Sequence, residues 1–239
     1  MLRFKTGKTK PDSQGGRISK MIEKVCVSGP AVSGKTHFIE NYLAGQLNDI
    51  TILSESARKV SEIYPDMAKN NIEIFRNKVC ELQRQREMIV ENLMGKGTLI
   101  CDRGIFDNLA FLLLQDKNQF NKELLNVINI YKNGITKPYD YIFYFDVDLL
   151  DGLTPLLERA LDDPLRKATI NINSYARHVS DFRNAFIEVT GYFWNVWNVK
   201  VVPIMAKPHE EEFNERNMLV KDYILYARGT KKNVNKESI

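Results

Sequence analysis

Val25-Cys26-Val27-Ser28-Gly29-Pro30-Ala31-Val32-Ser33-Gly34-Lys35-Thr36 is the stretch on which the reading of this chain turns. A short β-forming run enters a loop bounded by two glycines, and Lys-Thr follows the second. Thr36 to Gln46 then reads as a helix. Strand, G-x-x-x-x-G-K-[ST], helix is the order that phosphate binding requires. The glycines let backbone N–H groups converge on phosphate oxygens, and the helix start adds its partial positive charge. Lys35 is then placed to reach the β and γ phosphates, and the Thr36 hydroxyl to ligate Mg²⁺. Gly29, Pro30, Ala31, Val32, Ser33, Gly34, Lys35 and Thr36 are the expected ATP-binding residues.

Outward from the loop, short strand-like runs alternate with longer helical ones. Ile50–Leu53, Thr98–Cys101, Tyr141–Phe145 and Val199–Val202 read as strands. Phe75, Val79, Leu82, Ile89 and Leu93 are spaced mostly as one helix face, which stops at Gly95 and Gly97; Arg86 alone interrupts the stripe. Further helices are expected over Ile105–Leu114, Lys122–Tyr131, Leu153–Leu161, about Ile172 to Val189 with an end at Gly191, and Glu210–Tyr226. Asp162-Asp163-Pro164 breaks the third of these. The strand runs are mostly apolar throughout, as in strands covered on both faces, so the expected class is α/β with a five-stranded parallel sheet flanked by helices.

Asp102 closes the third strand, where ligands bind in open α/β sheets, and suits Mg²⁺ together with Thr36. Arg103 beside it can bind phosphate oxygens as charge develops in transfer. Glu55 follows the second strand at the same end and can accept a proton from an attacking hydroxyl. Lys35, Glu55, Asp102 and Arg103 form the expected catalytic set, with Arg58 three residues beyond Glu55 as a candidate anchor for an anionic group of the acceptor.

These residues resemble those of P-loop kinases of nucleosides and nucleotides, most closely the nicotinamide-riboside-kinase-like ATPase domain of NAD regulator proteins. Gly29 to Thr36, Glu55-Ser-Ala-Arg58, the Gln-bearing helix Phe75 to Leu93, and Asp102-Arg-Gly-Ile-Phe-Asp107-Asn-Leu-Ala-Phe111 carry the resemblance. It implies a three-layer P-loop NTPase core over about residues 22–227 with a small helical lid near 158–172, whose Arg159, Arg166 and Lys167 would cover the phosphates. It also implies that Gln83 and Asp107 face the acceptor, and that the loop Pro203 to Pro208 borders the adenine. The activity implied is transfer of the γ-phosphate of ATP, with Mg²⁺, to a nucleoside- or nucleotide-like acceptor.

The chain has 239 residues, 27% of them charged, and a net charge of +4. Residues 1–24 carry +5 and residues 228–239 carry +3, so an acidic body lies between basic ends. Such ends are either solvated tails, expected over 1–21 and 228–239, or a handle for nucleic acid. A kinase acting on a strand end or on a hydroxyl-bearing modified base is therefore an alternative, as is an NTPase switch. A GTPase lacks support because Thr136-Lys-Pro-Tyr-Asp140 has the wrong spacing for NKxD, and an oligomeric AAA motor because no helical lid domain remains once the sheet is counted. Three cysteines without a CxxC pair exclude a disulfide scaffold, and the absence of a long apolar run argues against a membrane span. A cytoplasmic protein is the expectation.

Overall fold

The structure, a computed structural model, describes residues 22–43, 49–149, 154, 157–158, 172–205 and 222. Strands β1 (Ile22–Ser28), β2 (Ile50–Leu53), β3 (Gly97–Asp102), β4 (Tyr141–Asp146) and β5 (Lys200–Met205) form one sheet in the order β2-β3-β1-β4-β5. Every pairing is parallel. The central strands β3, β1 and β4 are buried almost throughout, whereas β5 alternates between exposed and half-buried positions. The centres of the covered strands, Val25–Val27, Leu99–Cys101 and Ile142–Phe145, are apolar and buried, as in strands packed on both faces.

Helices cover both faces. On one side Val25, Val27, Ile100, Phe143 and Phe145 pack against α1 (Lys35–Phe38) and its π-helical continuation Ile39–Leu43. On the other, Cys26, Cys101, Ile142 and Tyr144 meet helices α4 (Ile72–Leu93), α5 (Ile105–Gln115), α6 (Lys117–Lys132) and α7 (Ile172–Trp197). Two short helices, α2 (Ser56–Ile63) and α3 (Met67–Asn70), lead from β2 into α4.

Three expectations about elements are corrected. Helix α6 starts at Lys117 rather than Lys122, because the Asp116 carboxylate accepts the Gln119 N–H at 3.0 Å and caps it. Helix α7 passes through Gly191 instead of ending there. Glycine costs a helix about 1 kcal/mol, but the residues beyond it build core: Phe193 stacks on Phe106 at 4.4 Å and Trp197 meets Tyr131 at 5.7 Å. Strand β5 runs on to Met205 through Pro203, tolerated because β5 is an edge.

Lys24, counted above with the basic N-terminal end, is a completely buried residue of β1. Its ammonium meets Glu87 at 2.8 Å, Glu91, the Thr136 hydroxyl at 2.9 Å and the Lys137 carbonyl at 2.8 Å. Arg159, Arg166 and Lys167, the expected lid, lie outside the described residues, as do the tails, almost all of Glu210–Tyr226 and the end of the loop after β5.

Candidate active site

The phosphate loop leaves β1, the middle strand, between the carboxyl ends of β3 and β4. This is where an open α/β sheet forms its ligand crevice. Gly29, at φ 134°, passes so near β4 that a Cβ would collide with the Phe145 carbonyl. Val32 holds φ 59°, unfavourable for a β-branched residue. Packing compensates: Val32 lies against Val147, Tyr175 and Val179, and the Tyr175 hydroxyl donates to the Ala31 carbonyl at 2.6 Å. Helix α7 therefore holds the tip of the loop, a role for Tyr175 that its sequence context did not signal.

Lys35 lies buried within the loop, donating to the Pro30 carbonyl at 2.5 Å and the Ser33 hydroxyl at 3.2 Å. Burial, aided by the nearby Arg103 charge, draws its pKa down to about 7. The Thr36 hydroxyl donates to Asp102 Oδ2 at 2.7 Å. One hydroxyl and one carboxylate are thus brought together across 66 residues of sequence. The pair fits Mg²⁺, which takes hard oxygen ligands and keeps several waters, so Thr36 and Asp102 would hold it.

Arg103 turns the chain out of β3 with φ 61°, while its N–H still donates to the Val27 carbonyl at 3.0 Å. Its guanidinium meets Glu55 at 2.8 Å and Asp107 at 3.1 Å, over the rings of Phe111 and Phe182. Burial alone would lower the Arg103 pKa, but Glu55 and Asp107 outweigh it and raise it. Asp107 itself is wholly buried, and accepts from the Ser28 hydroxyl at 2.8 Å, the Gly104 N–H at 2.9 Å and Arg103. Asp107, expected to face the acceptor, caps α5 and pairs with Arg103. Burial raises its pKa against the pull of that guanidinium.

The loop after β2 is pinned from α4. Arg86, which interrupted the apolar stripe, donates to the Ser54 carbonyl at 2.7 Å and the Ser56 hydroxyl at 3.0 Å. Ser56 donates to Gln83 Oε1 at 2.6 Å, and Gln83 Nε2 donates to Glu87 at 2.6 Å. The Tyr139 hydroxyl also donates to Glu87, at 2.5 Å, and accepts from the Ile105 N–H at 2.8 Å. Gly104 lets the chain pass there, since a Cβ would strike the Tyr139 hydroxyl. This buried polar chain holds the Glu55 loop and the Asp102–Arg103 turn in one frame. Arg58 lies half-exposed on α2, 3.9 Å from Glu55, beside the site.

A cavity of about 260 Å³ opens between α2, α4 and α5. Glu55, Ser56, Gln83 and Arg103 contribute to its lining, with Phe75, Arg76, Val79, Asn108 and Phe111 beyond them. Arg76 went unnoticed in the sequence, although the spacing Ile72, Arg76, Val79, Gln83 puts it on the same helix face as the others.

Comparison with known proteins agrees with the fold. Deoxyadenosine kinase from M. mycoides with products dCMP and a flexible dCDP bound superposes with a TM-score of 0.57 at 14% identity, covering 85% of this chain and 99% of that one. The same enzyme with bound dATP gives 0.56 at 14% identity, covering 84% and 98%, and with bound dCTP 0.55 at 13%, covering 85% and 99%. At such identity the likeness is one of fold. No curated protein matches the sequence. The profile of the AAA domain family matches residues 24–202, from β1 into β5 and so across the sheet and phosphate loop described above, and the chain belongs to that family.

Proposed function

We propose that this protein is a phosphotransferase that moves the γ-phosphate of ATP, with Mg²⁺, to a hydroxyl of a nucleoside-like small molecule. The observation that carries this reading is the cavity whose lining includes Glu55 and Arg103, two groups that also set the field around Lys35 of the phosphate loop. Its volume of about 260 Å³ suits one small molecule rather than a polymer. The likeness in fold to a deoxyadenosine kinase supports the same acceptor class.

ATP supplies the phosphoryl group and Mg²⁺ neutralises charge on its oxygens. The chain's own groups do the positioning. Lys35, protonated, binds phosphate oxygens; Arg103 sits where charge develops on the transferred group; Glu55 takes the proton of the acceptor hydroxyl. Arg159, Arg166 and Lys167 are assigned the covering role on the resemblance noted above. A transfer assay with radiolabelled ATP over nucleosides, mononucleotides and DNA or RNA oligomers tests the reading, run with the full chain and with a chain lacking residues 1–20. Labelling of nucleosides supports it. Labelling of oligomers only replaces the acceptor class with nucleic acid, and no labelling at all overturns the activity.

A further inference from the structure

Besides Asn108 and Gln115, the polar side chains that line the cavity are two bonded pairs and Arg76. Glu55 pairs with Arg103, and Ser56 and Gln83 are bonded to each other. Both ends of the Gln83 amide are engaged, since its nitrogen is held by Glu87. Gln83, expected to face the acceptor, is therefore already occupied in the wall. Arg76 is different: among the described residues it has neither an acidic partner nor a hydrogen bond, and its neighbours in the lining include Phe75, Val79, Phe111 and Leu112. The charged side chains of the lining are Glu55, Arg103 and Arg76, a balance of +1.

A half-buried guanidinium beside apolar groups gains most from an oxyanion, because it offers only donors, in a fork that matches a carboxylate. One positive charge balances one carboxylate, whereas a phosphate dianion would leave excess charge among apolar groups. Arg76 precedes Gln83 by seven residues on one helix face, which places the two about 10 Å apart along the axis at 1.5 Å per residue. Gln83 stands beside Ser56, next in sequence to Glu55.

Resting on the kinase reading above, we propose that the acceptor is a nucleoside bearing a carboxylate remote from the hydroxyl to be phosphorylated, and that Arg76 selects for it. Two probes differ almost only in charge: N6-carboxymethyladenosine, with its carboxylate at the far end of the purine from the 5′-hydroxyl, and the corresponding uncharged amide. Titration calorimetry on the full chain should show the acid binding about tenfold tighter or more. Arg76→Ala should abolish that preference, Arg76→Lys should retain part of it, and Lys35→Ala should leave it intact. Equal binding of acid and amide, a preference that survives in Arg76→Ala, or binding of neither probe overturns the proposal. If neutral nucleosides are phosphorylated while the acid is not preferred, the carboxylate inference alone fails. If no acceptor is phosphorylated, the kinase reading fails with it.

Discussion

Two buried lysines stand near opposite ends of the central strand and are treated in opposite ways. Lys24 has Glu87, Glu91, a hydroxyl and a carbonyl around its ammonium, and although burial lowers its pKa, the two carboxylates outweigh this and raise it. Lys35 has a carbonyl and a hydroxyl, no carboxylate at ion-pair distance among the described residues, and a pKa near 7. A structural cation has its charge balanced from within the fold. Lys35, which the proposed function assigns to phosphate, is left short of partners, and burial makes the shortage costly. Arg86 and Arg76, on one helix, repeat the contrast: Arg86 donates to the Ser54 carbonyl and the Ser56 hydroxyl, whereas Arg76 has no such partner among the described residues.

The contrast breaks most sharply if the wrong lysine proves structural. Lys24→Met should destabilise the fold by about 3–5 kcal/mol, because it leaves Glu87 and Glu91 buried without their cation. Lys35→Met should leave the urea midpoint unchanged or slightly higher. Similar losses in both variants would refute the distinction.

Next in size are the effects on transfer. Lys35→Ala and Asp102→Asn should each lower kcat by roughly 10²–10³-fold, with unfolding midpoints close to that of the parent chain. Glu55→Gln should lower kcat far more than it changes the KM for ATP; equal changes in both would remove Glu55 as the base. Smaller again, Tyr139→Phe should cost about 1–3 kcal/mol, since the Ile105 N–H and one Glu87 oxygen lose a buried partner. An unchanged denaturation curve would show that the polar chain does not brace the site.

The smallest effect is a pH slope. The Lys35 pKa falls from 10.5 to about 7 on folding, so the unfolded chain binds more protons between those values. Its contribution to stability is therefore full above 10.5 and lost as the pH falls through about 7. On the proposed function, ATP binding should draw the proton back, so affinity should weaken as the pH rises above about 7, by at most about tenfold per unit. Calorimetry across that range, with Lys35→Arg as the always-charged comparison, should show the slope in the parent chain only.

What could be read along the chain follows from local rules. The phosphate loop, the parallel sheet and the grouping of Glu55, Asp102 and Arg103 at one end of it all follow from strand endings and a motif that works through its own backbone. Helix ends were less legible where tertiary contacts overrode a local signal: Gly191 reads as a stop until Phe193 and Trp197 find Phe106 and Tyr131. The partners of Asp107 were not legible either, because a short motif shows proximity in sequence but not that its carboxylate meets the Ser28 hydroxyl and the Gly104 N–H as well as Arg103.

Charge was the least legible feature of all. Lys24 and Lys35 are both lysines beside a glycine-rich motif, and Arg76 and Arg86 are both arginines on one helix. The amino-acid sequence by itself determined the sheet, the loop and the end of the sheet at which Glu55, Asp102 and Arg103 gather, because these depend on periodicity and on residues adjacent along the chain. Only the tertiary structure decided which cations are neutralised within the fold and which have few partners among the described residues. That outcome depends on partners such as Glu87, Glu91 and Ser54, brought from distant segments to within hydrogen-bonding distance.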